Sequence, residues 1–400
     1  LFRSRRGRHA QNQSRVPARN RVARQHHLAV VLHHTLVEGA KLAYADRDRY
    51  IADPAFAASS FRAKISAVNR RAVAACDKEG LGFLLDPASC AYDPARDAAA
   101  LCAGVAGQGV TGSNADAGSC VSLKEAQAID KLWYGITRDG TYDPDQGASA
   151  RNGTALGPRQ LWWGYPRGAD WGALVSGVGN AERVAQILQD VRYAPSKAVS
   201  PAADFVNAST PERDRWREID HAGLAQLFER GLAQEASIGH LNTESADLRR
   251  LRDGGRKVIT YTGLAEDVIP PATSVNHYER VAAGMGGHAE VQKFLRLYLV
   301  PGKAHSSQGR GWVVGSAGDP SRNASVPLPA LPGTANQTPG REQDQMFSAL
   351  VDWVEGGRAP EAITVTSRDR STSYPLCVYP LKITWDGRGS PRVAASYSCR

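Results

Sequence analysis

Apolar positions along the chain follow two periods. Two short β-branched runs, Lys257-Val-Ile-Thr-Tyr261 and Phe294-Leu-Arg-Leu-Tyr-Leu-Val300, are bounded by Gly and Pro and predict strands. Helical spacing of Phe61, Ile65, Val68 and Val73 predicts a helix running into Cys76. A second helix is predicted over Ser122 to Tyr134. Its Ser122-Leu-Lys-Glu125 has the form of a capping box, and Ala126, Ile129, Leu132 and Trp133 make its apolar face. Three more follow: Asp247 to Asp253, closed by Gly254-Gly255; Ser274 to Ala283, stopped by Gly284, Gly286 and Gly287; and Gln343 to Glu355, with Met346, Phe347, Leu350, Val351 and Val354 on one face. Residues 76 to 245 lack strand alternation and are rich in Gly, Ala, Asp and aromatic residues, as an insertion between strands would be. A loop dense in Pro, Gly, Ser and Asn, too long for a simple connection, runs from Ser306 to Arg341.

Four hundred residues can bury a large core, and 42% hydrophobic with 22% charged residues is ordinary for a globular chain. No apolar run approaches the roughly 20 residues of a membrane-spanning helix. The net charge of +9 suggests a polyanion partner until its distribution is considered. Residues 1 to 50 hold eleven Lys or Arg against Glu38, Asp46 and Asp48, so the other 350 carry about +1. No nucleic-acid or membrane partner is expected. This first segment also holds five of the ten histidines and has neither helical nor strand periodicity. It reads as an out-of-frame stretch or a mis-set start, and since the chain opens on Leu1, any signal peptide would be lost with the missing start and its absence says nothing about secretion.

Chemistry gathers after the two strands. The first ends in Gly263-Leu-Ala-Glu266-Asp267-Val-Ile-Pro270, and the second in Pro301-Gly302-Lys-Ala-His305. An acid after one strand and a histidine after the next is the order Ser, Asp/Glu, His used by α/β-hydrolases. A histidine behind a tight Pro-Gly turn is suited to general-base work, and a neighbouring carboxylate would orient it. The serine should lie upstream, yet no Gly-x-Ser-x-Gly occurs in the chain.

At this point the chain resembles the tannase and feruloyl esterase family of α/β-hydrolases. The matching segments are Asn69-Arg-Arg-Ala-Val-Ala-Ala-Cys76-Asp77, Leu161-Trp-Trp-Gly-Tyr-Pro-Arg-Gly-Ala-Asp-Trp171, Asp247-Leu-Arg-Arg-Leu-Arg-Asp-Gly-Gly-Arg-Lys257, the two loops just described, and Ala349-Leu-Val-Asp-Trp-Val-Glu-Gly-Gly-Arg-Ala-Pro360. Each is weak alone; their joint order and spacing, from about residue 50 to the end, make the match specific.

The resemblance implies an α/β fold in which residues 51–75 and 246–400 form an incomplete hydrolase core and residues 76–245 a lid. It implies a serine carboxylesterase that splits hydroxycinnamate, gallate or similar phenolic esters through an acyl-enzyme, with this chain expected to be inactive because the serine elbow is missing. The alternative is a non-catalytic hydrolase-fold protein that binds phenolic or carbohydrate ligands. His305 takes the histidine position. Glu266 falls on the family's acid position in gapless register, with Asp267 beside it as the alternative. The family clamps its elbow to a cysteine directly after the histidine; Ser306 stands there instead. The family pairs its cysteines sequentially, which here means Cys76 with Cys90, Cys102 with Cys120, and Cys377 with Cys399. Such bridges call for an oxidising compartment, so the protein is expected in the periplasm or outside the cell. No cofactor is required, although relatives hold a structural calcium where this chain offers Asp77, Glu79 and Asp86, a set that equally suits a closed loop without metal. Among the lid aromatics, Trp133, Trp162, Trp163, Tyr165 and Trp171 suit an aromatic substrate as a set, while each alone suits the lid core.

Overall fold

A computed structural model describes residues 58–145, 151–169, 220–234, 243–267, 269–304, 345–366 and 373–400. Trp171 and His305 lie outside them, as does the basic segment before residue 50.

Helix α1 (Ala58–Cys76) leads to α2 (Leu123–Tyr134), α3 (His221–Gln234) and α4 (Arg249–Asp253). Strand β1 (Val258–Gly263), helices α5 (Pro271–Gly284) and α6 (His288–Val291) and strand β2 (Leu295–Val300) follow one another as strand, crossover and strand. Beyond them lie α7 (Gln345–Gly356) and strands β3 (Ala362–Thr366), β4 (Ser373–Cys377), β5 (Ile383–Trp385) and β6 (Tyr397–Cys399). β1 and β2 are parallel, in register from Val258 opposite Leu295 to Gly263 opposite Val300. β3 pairs with β4 and β5 with β6, both antiparallel. A bridge from Tyr298 to Val378 joins β2 to the chain after β4.

The predicted elements form, with shifted ends. The first strand runs two residues further, to Gly263, and the helix expected from Ser274 starts at Pro271, whose fixed φ suits a first helical turn. The capping box is present: Ser122 Oγ accepts from the Glu125 N–H at 3.2 Å, and the Glu125 carboxylate accepts from the Ser122 N–H at 2.7 Å. Glu125 also holds the buried Lys64 ammonium at 2.9 Å, so one carboxylate starts α2 and anchors α1.

Ile65, Val68 and Ala72 of α1 pack with Leu101, Val121, Ile129, Trp133 and Tyr165 in one core cluster. Phe83 and Leu85 pack with Tyr298, Val300, Ile363 and Leu376. Residues 83–85 thus pack on the strands, inside the stretch expected to form the lid. The Cys76–Cys90 bridge closes the loop that carries this apolar run. All three disulfides form as the sequential pairing requires.

Candidate active site

Because β1 and β2 are parallel and in register, the chain leaves both at the same edge. Pairing continues past the strands: the Leu264 N–H donates to the Val300 carbonyl at 2.8 Å and the Ala265 N–H to the Lys303 carbonyl at 2.9 Å. The second bond needs a residue without a side chain at the end of β1. A Cβ on Gly263 would lie 2.2 Å from the Lys303 carbonyl oxygen. Gly302, at φ +67°, makes the turn that brings Lys303 back, a conformation costly for other residues. The acid loop and the segment leading to His305 are thus joined through backbone.

Glu266 and Asp267 are both buried, each 6% exposed. The Ile269 N–H donates to Glu266 Oε1 at 3.2 Å, which ties this carboxylate to the turn that opens α5. Sequence reasoning passed over Lys303, buried to 7% exposure, whose ammonium donates to the Ala304 carbonyl at 3.0 Å. Burial pulls the Lys303 ammonium below its usual range, and the charges of Glu266 and Asp267 oppose that pull. Lys303 thus lies beside two adjacent carboxylates that would otherwise share a buried edge without a cation. Only tertiary placement reveals this, since a lysine before a histidine carries no signal of its own.

A cavity of about 230 Å³ opens between the lid and this edge. Trp133, Trp163 and Tyr165 form its lid wall; Leu264, Ala272 and Val275 form the opposite wall. Leu264 lies two residues before Glu266, so the cavity reaches the acid loop. Two glycines set the lid wall close to α2. A Cβ on Gly164 would lie 2.2 Å from the Trp133 carbonyl oxygen, and one on Gly135 would lie 2.3 Å from that of Trp162. Trp162 does not line the cavity; its ring meets Trp163 edge-on at 5.2 Å and leans on Phe228 at 6.2 Å. It packs the lid, while Trp163 and Tyr165 face the cavity.

The suggested calcium ligands are not brought together. Asp77 Oδ2 accepts from the Gly82 N–H at 2.6 Å, closing a turn, and Asp86 pairs with the Lys382 ammonium at 2.6 Å. Among the described residues no group of three acid, histidine or cysteine side chains is placed to hold a metal ion. Calcium prefers six to eight oxygens, and these residues do not fit it.

Parallel strands whose trailing loops carry an acid and lead to a histidine are the arrangement of an α/β-hydrolase. The chain belongs to the tannase and feruloyl esterase family, whose profile matches residues 39–400. The match begins inside the first 50 residues, which sequence reasoning had set apart as unmatched. An uncharacterized esterase of Xanthomonas campestris is 26% identical over 86% of this chain and 55% of its own length. A mono(2-hydroxyethyl) terephthalate hydrolase of Piscinibacter sakaiensis is 27% identical over 78% of this chain and 46% of its own. In structure, feruloyl esterase B from Aspergillus oryzae superposes with a TM-score of 0.56 at 18% identity, covering 92% of this chain and 62% of that one. Tannin acyl hydrolase from Aspergillus niger gives 0.56 at 17%, covering 92% and 57%. The chain spans about half the length of the curated relatives it matches.

Proposed function

We propose that this chain carries the acid, the histidine and the lid of a serine carboxylesterase acting on aromatic esters. The observation behind this reading is the backbone joint between the two loops at the edge of β1 and β2, with an aromatic-walled cavity reaching it. His305 accepts the proton of a serine hydroxyl as its oxygen attacks the ester carbonyl, and returns that proton to the leaving alcohol. Water, deprotonated by the same imidazole, then releases the acid from the acyl-enzyme. Glu266 orients His305 and stabilises its charged form; Asp267 is the alternative acid. Trp163 and Tyr165 stack on the aromatic acyl group.

Neither a metal nor an organic cofactor is required by this chemistry. The partner is a small aromatic ester, not nucleic acid or a membrane. No helix among the described residues is long and apolar enough to cross a membrane, and three disulfides suit a periplasmic or secreted protein.

A second reading rests on one observation: the chain has no Gly-x-Ser-x-Gly, while the cavity is present. Such a chain binds aromatic ligands without turning them over. The 400-residue polypeptide is expected to hydrolyse methyl ferulate and methyl gallate no faster than buffer, and to bind methyl ferulate saturably, read by tryptophan fluorescence. Turnover that disappears in His305→Ala would place a nucleophile within the chain. A lack of saturable binding would remove the aromatic-ester reading altogether.

A further inference from the structure

Lys303 bridges the two loops of the candidate site. Its ammonium donates to the Ala304 carbonyl at 3.0 Å, on the peptide that leads into His305, and its backbone carbonyl accepts from the Ala265 N–H at 2.9 Å, next to Glu266. Gly302 sets the turn at φ +67°, and a Cβ on Gly263 would lie 3.1 Å from the Lys303 Cβ, so the end of β1 closes over the root of this side chain. Lys303, Glu266 and Asp267 are all buried, at 7%, 6% and 6% exposure. Burial disfavours the charged form of each taken alone. Two carboxylates adjacent in the chain and buried at one edge also repel, and such a pair commonly relieves the repulsion by keeping one proton between its members. A cation beside them is the other solution. Burial pulls the Lys303 ammonium below its usual range; among the described residues, Glu266 and next Asp267 are the charged groups that oppose the pull. The Ile269 N–H gives Glu266 a hydrogen bond at 3.2 Å but no charge.

We propose that Lys303 is a positioning residue for the acid and the histidine: its ammonium, fixed on the peptide before His305, neutralises one of the two carboxylates, so that the other meets the imidazole without a proton of its own. The acid can then accept the Nδ1–H bond of His305 and stabilise the imidazolium that forms when the ring takes the serine proton. A proton shared between Glu266 and Asp267 would occupy that acceptor and cancel the charge. Lys303 touches neither the ester nor the leaving alcohol in this role; it acts through the acid. The inference rests on the reading of the acid loop as the partner of His305, and its test separates the two.

Carbon-13 NMR of the side-chain carboxyls follows the acid pair against pH in the full chain, with nitrogen NMR of His305 and of the Lys303 ammonium on the same samples. Lys303→Met, which keeps an unbranched stem and drops the charge, should raise the pH at which the pair takes up its first proton by about one unit or more, the size of a neighbouring opposite charge. Lys303→Arg keeps the charge and should hold the pair within about half a unit of the parent. Circular dichroism reports whether Lys303→Met folds. Where it does not, the Lys303 ζ-nitrogen decides: Glu266→Gln and Asp267→Asn should each make the ammonium lose its proton at lower pH than in the parent, because each removes a charge that holds the proton on. A pair that titrates alike in the parent and Lys303→Met, an equal displacement in Lys303→Arg, or a ζ-nitrogen that ignores both acid variants overturns the role of Lys303; the acid reading stands as long as His305 responds to one of those variants. A His305 whose titration moves with neither Glu266→Gln nor Asp267→Asn overturns both.

Discussion

The Ala265 N–H donates to the carbonyl oxygen of Lys303 at 2.9 Å, and this bond joins the loop after β1 to the segment that precedes His305. Its consequence is positional. Two carboxylates and an ammonium, none of which would be buried alone, share one dry edge because the backbone holds their loops together.

Gly263→Ala tests that joint. A Cβ at this position would meet the Lys303 carbonyl oxygen at 2.2 Å and the carbonyl carbon at 2.9 Å, both backbone atoms that cannot rotate away. The loops must part by more than an ångström. A loss of about 1–3 kcal/mol in urea unfolding is expected, the range for overpacking. A change under about 0.5 kcal/mol would mean that the joint yields freely.

The second prediction concerns acid. Arg71 on α1 grips Asp97 in a fork, Nε to Oδ2 at 2.5 Å and Nη2 to Oδ1 at 2.9 Å, and the Tyr92 hydroxyl donates to the same carboxylate at 2.8 Å. Burial alone would raise the Asp97 carboxyl, but Arg71, Tyr92 and the Ala99 N–H outweigh it and hold it below its usual range. A carboxyl lowered on folding stabilises the protein above its unfolded value, near pH 3.9, and loses that contribution as pH falls through the folded value. Asp97→Asn should therefore cost about 1 kcal/mol at pH 7, a modest figure because the pair is partly exposed. The gap to the parent should close below about pH 4. A gap that stays constant with pH would show that the charge contributes nothing.

The third concerns the bridges. Cys377–Cys399 ties β4 to β6 across 22 residues, and Cys377 also lines the cavity. Replacing both cysteines by serine should cost about 2–4 kcal/mol. Non-reducing peptide mapping of the parent should recover three sequential pairs; free thiols, or a link from the lid to the C-terminal strands, would contradict the structure.

Periodicity made β1, β2, α2, α5 and α7 legible, because each has a clean apolar period and a Gly or Pro stop. Strands β3 to β6 were missed. They are three to five residues long, too short for alternation to register, and β4 carries Pro375 within its run. Helix α1 was legible as a helix but its packing was not, since its partner is Glu125, 61 residues away in sequence. In the candidate site the acid loop could be read from the order of strand, acid, strand and histidine. Lys303 could not: it differs from any surface lysine only by its burial beside the two acids.

The last prediction assigns the acid that serves His305, and it needs no turnover. An imidazole beside a carboxylate holds its proton more tightly, and loss of that charge should lower its pKa by about one unit or more. Glu266 occupies the family's acid position in gapless register between Gly263 and Pro270, and its carboxylate is fixed by the Ile269 N–H at 3.2 Å. Glutamine keeps an acceptor oxygen for that N–H, so Glu266→Gln should remove the charge and leave the loop in place. Proton and nitrogen NMR titration of His305 should then show the larger fall in Glu266→Gln and less than half of it in Asp267→Asn. In a chain that turns over ester, the same variant should lose its rate by orders of magnitude while the other keeps most of it. The reverse ranking would assign Asp267 to the histidine and Glu266 to the turn before α5; small and equal shifts would put the acid elsewhere in the chain.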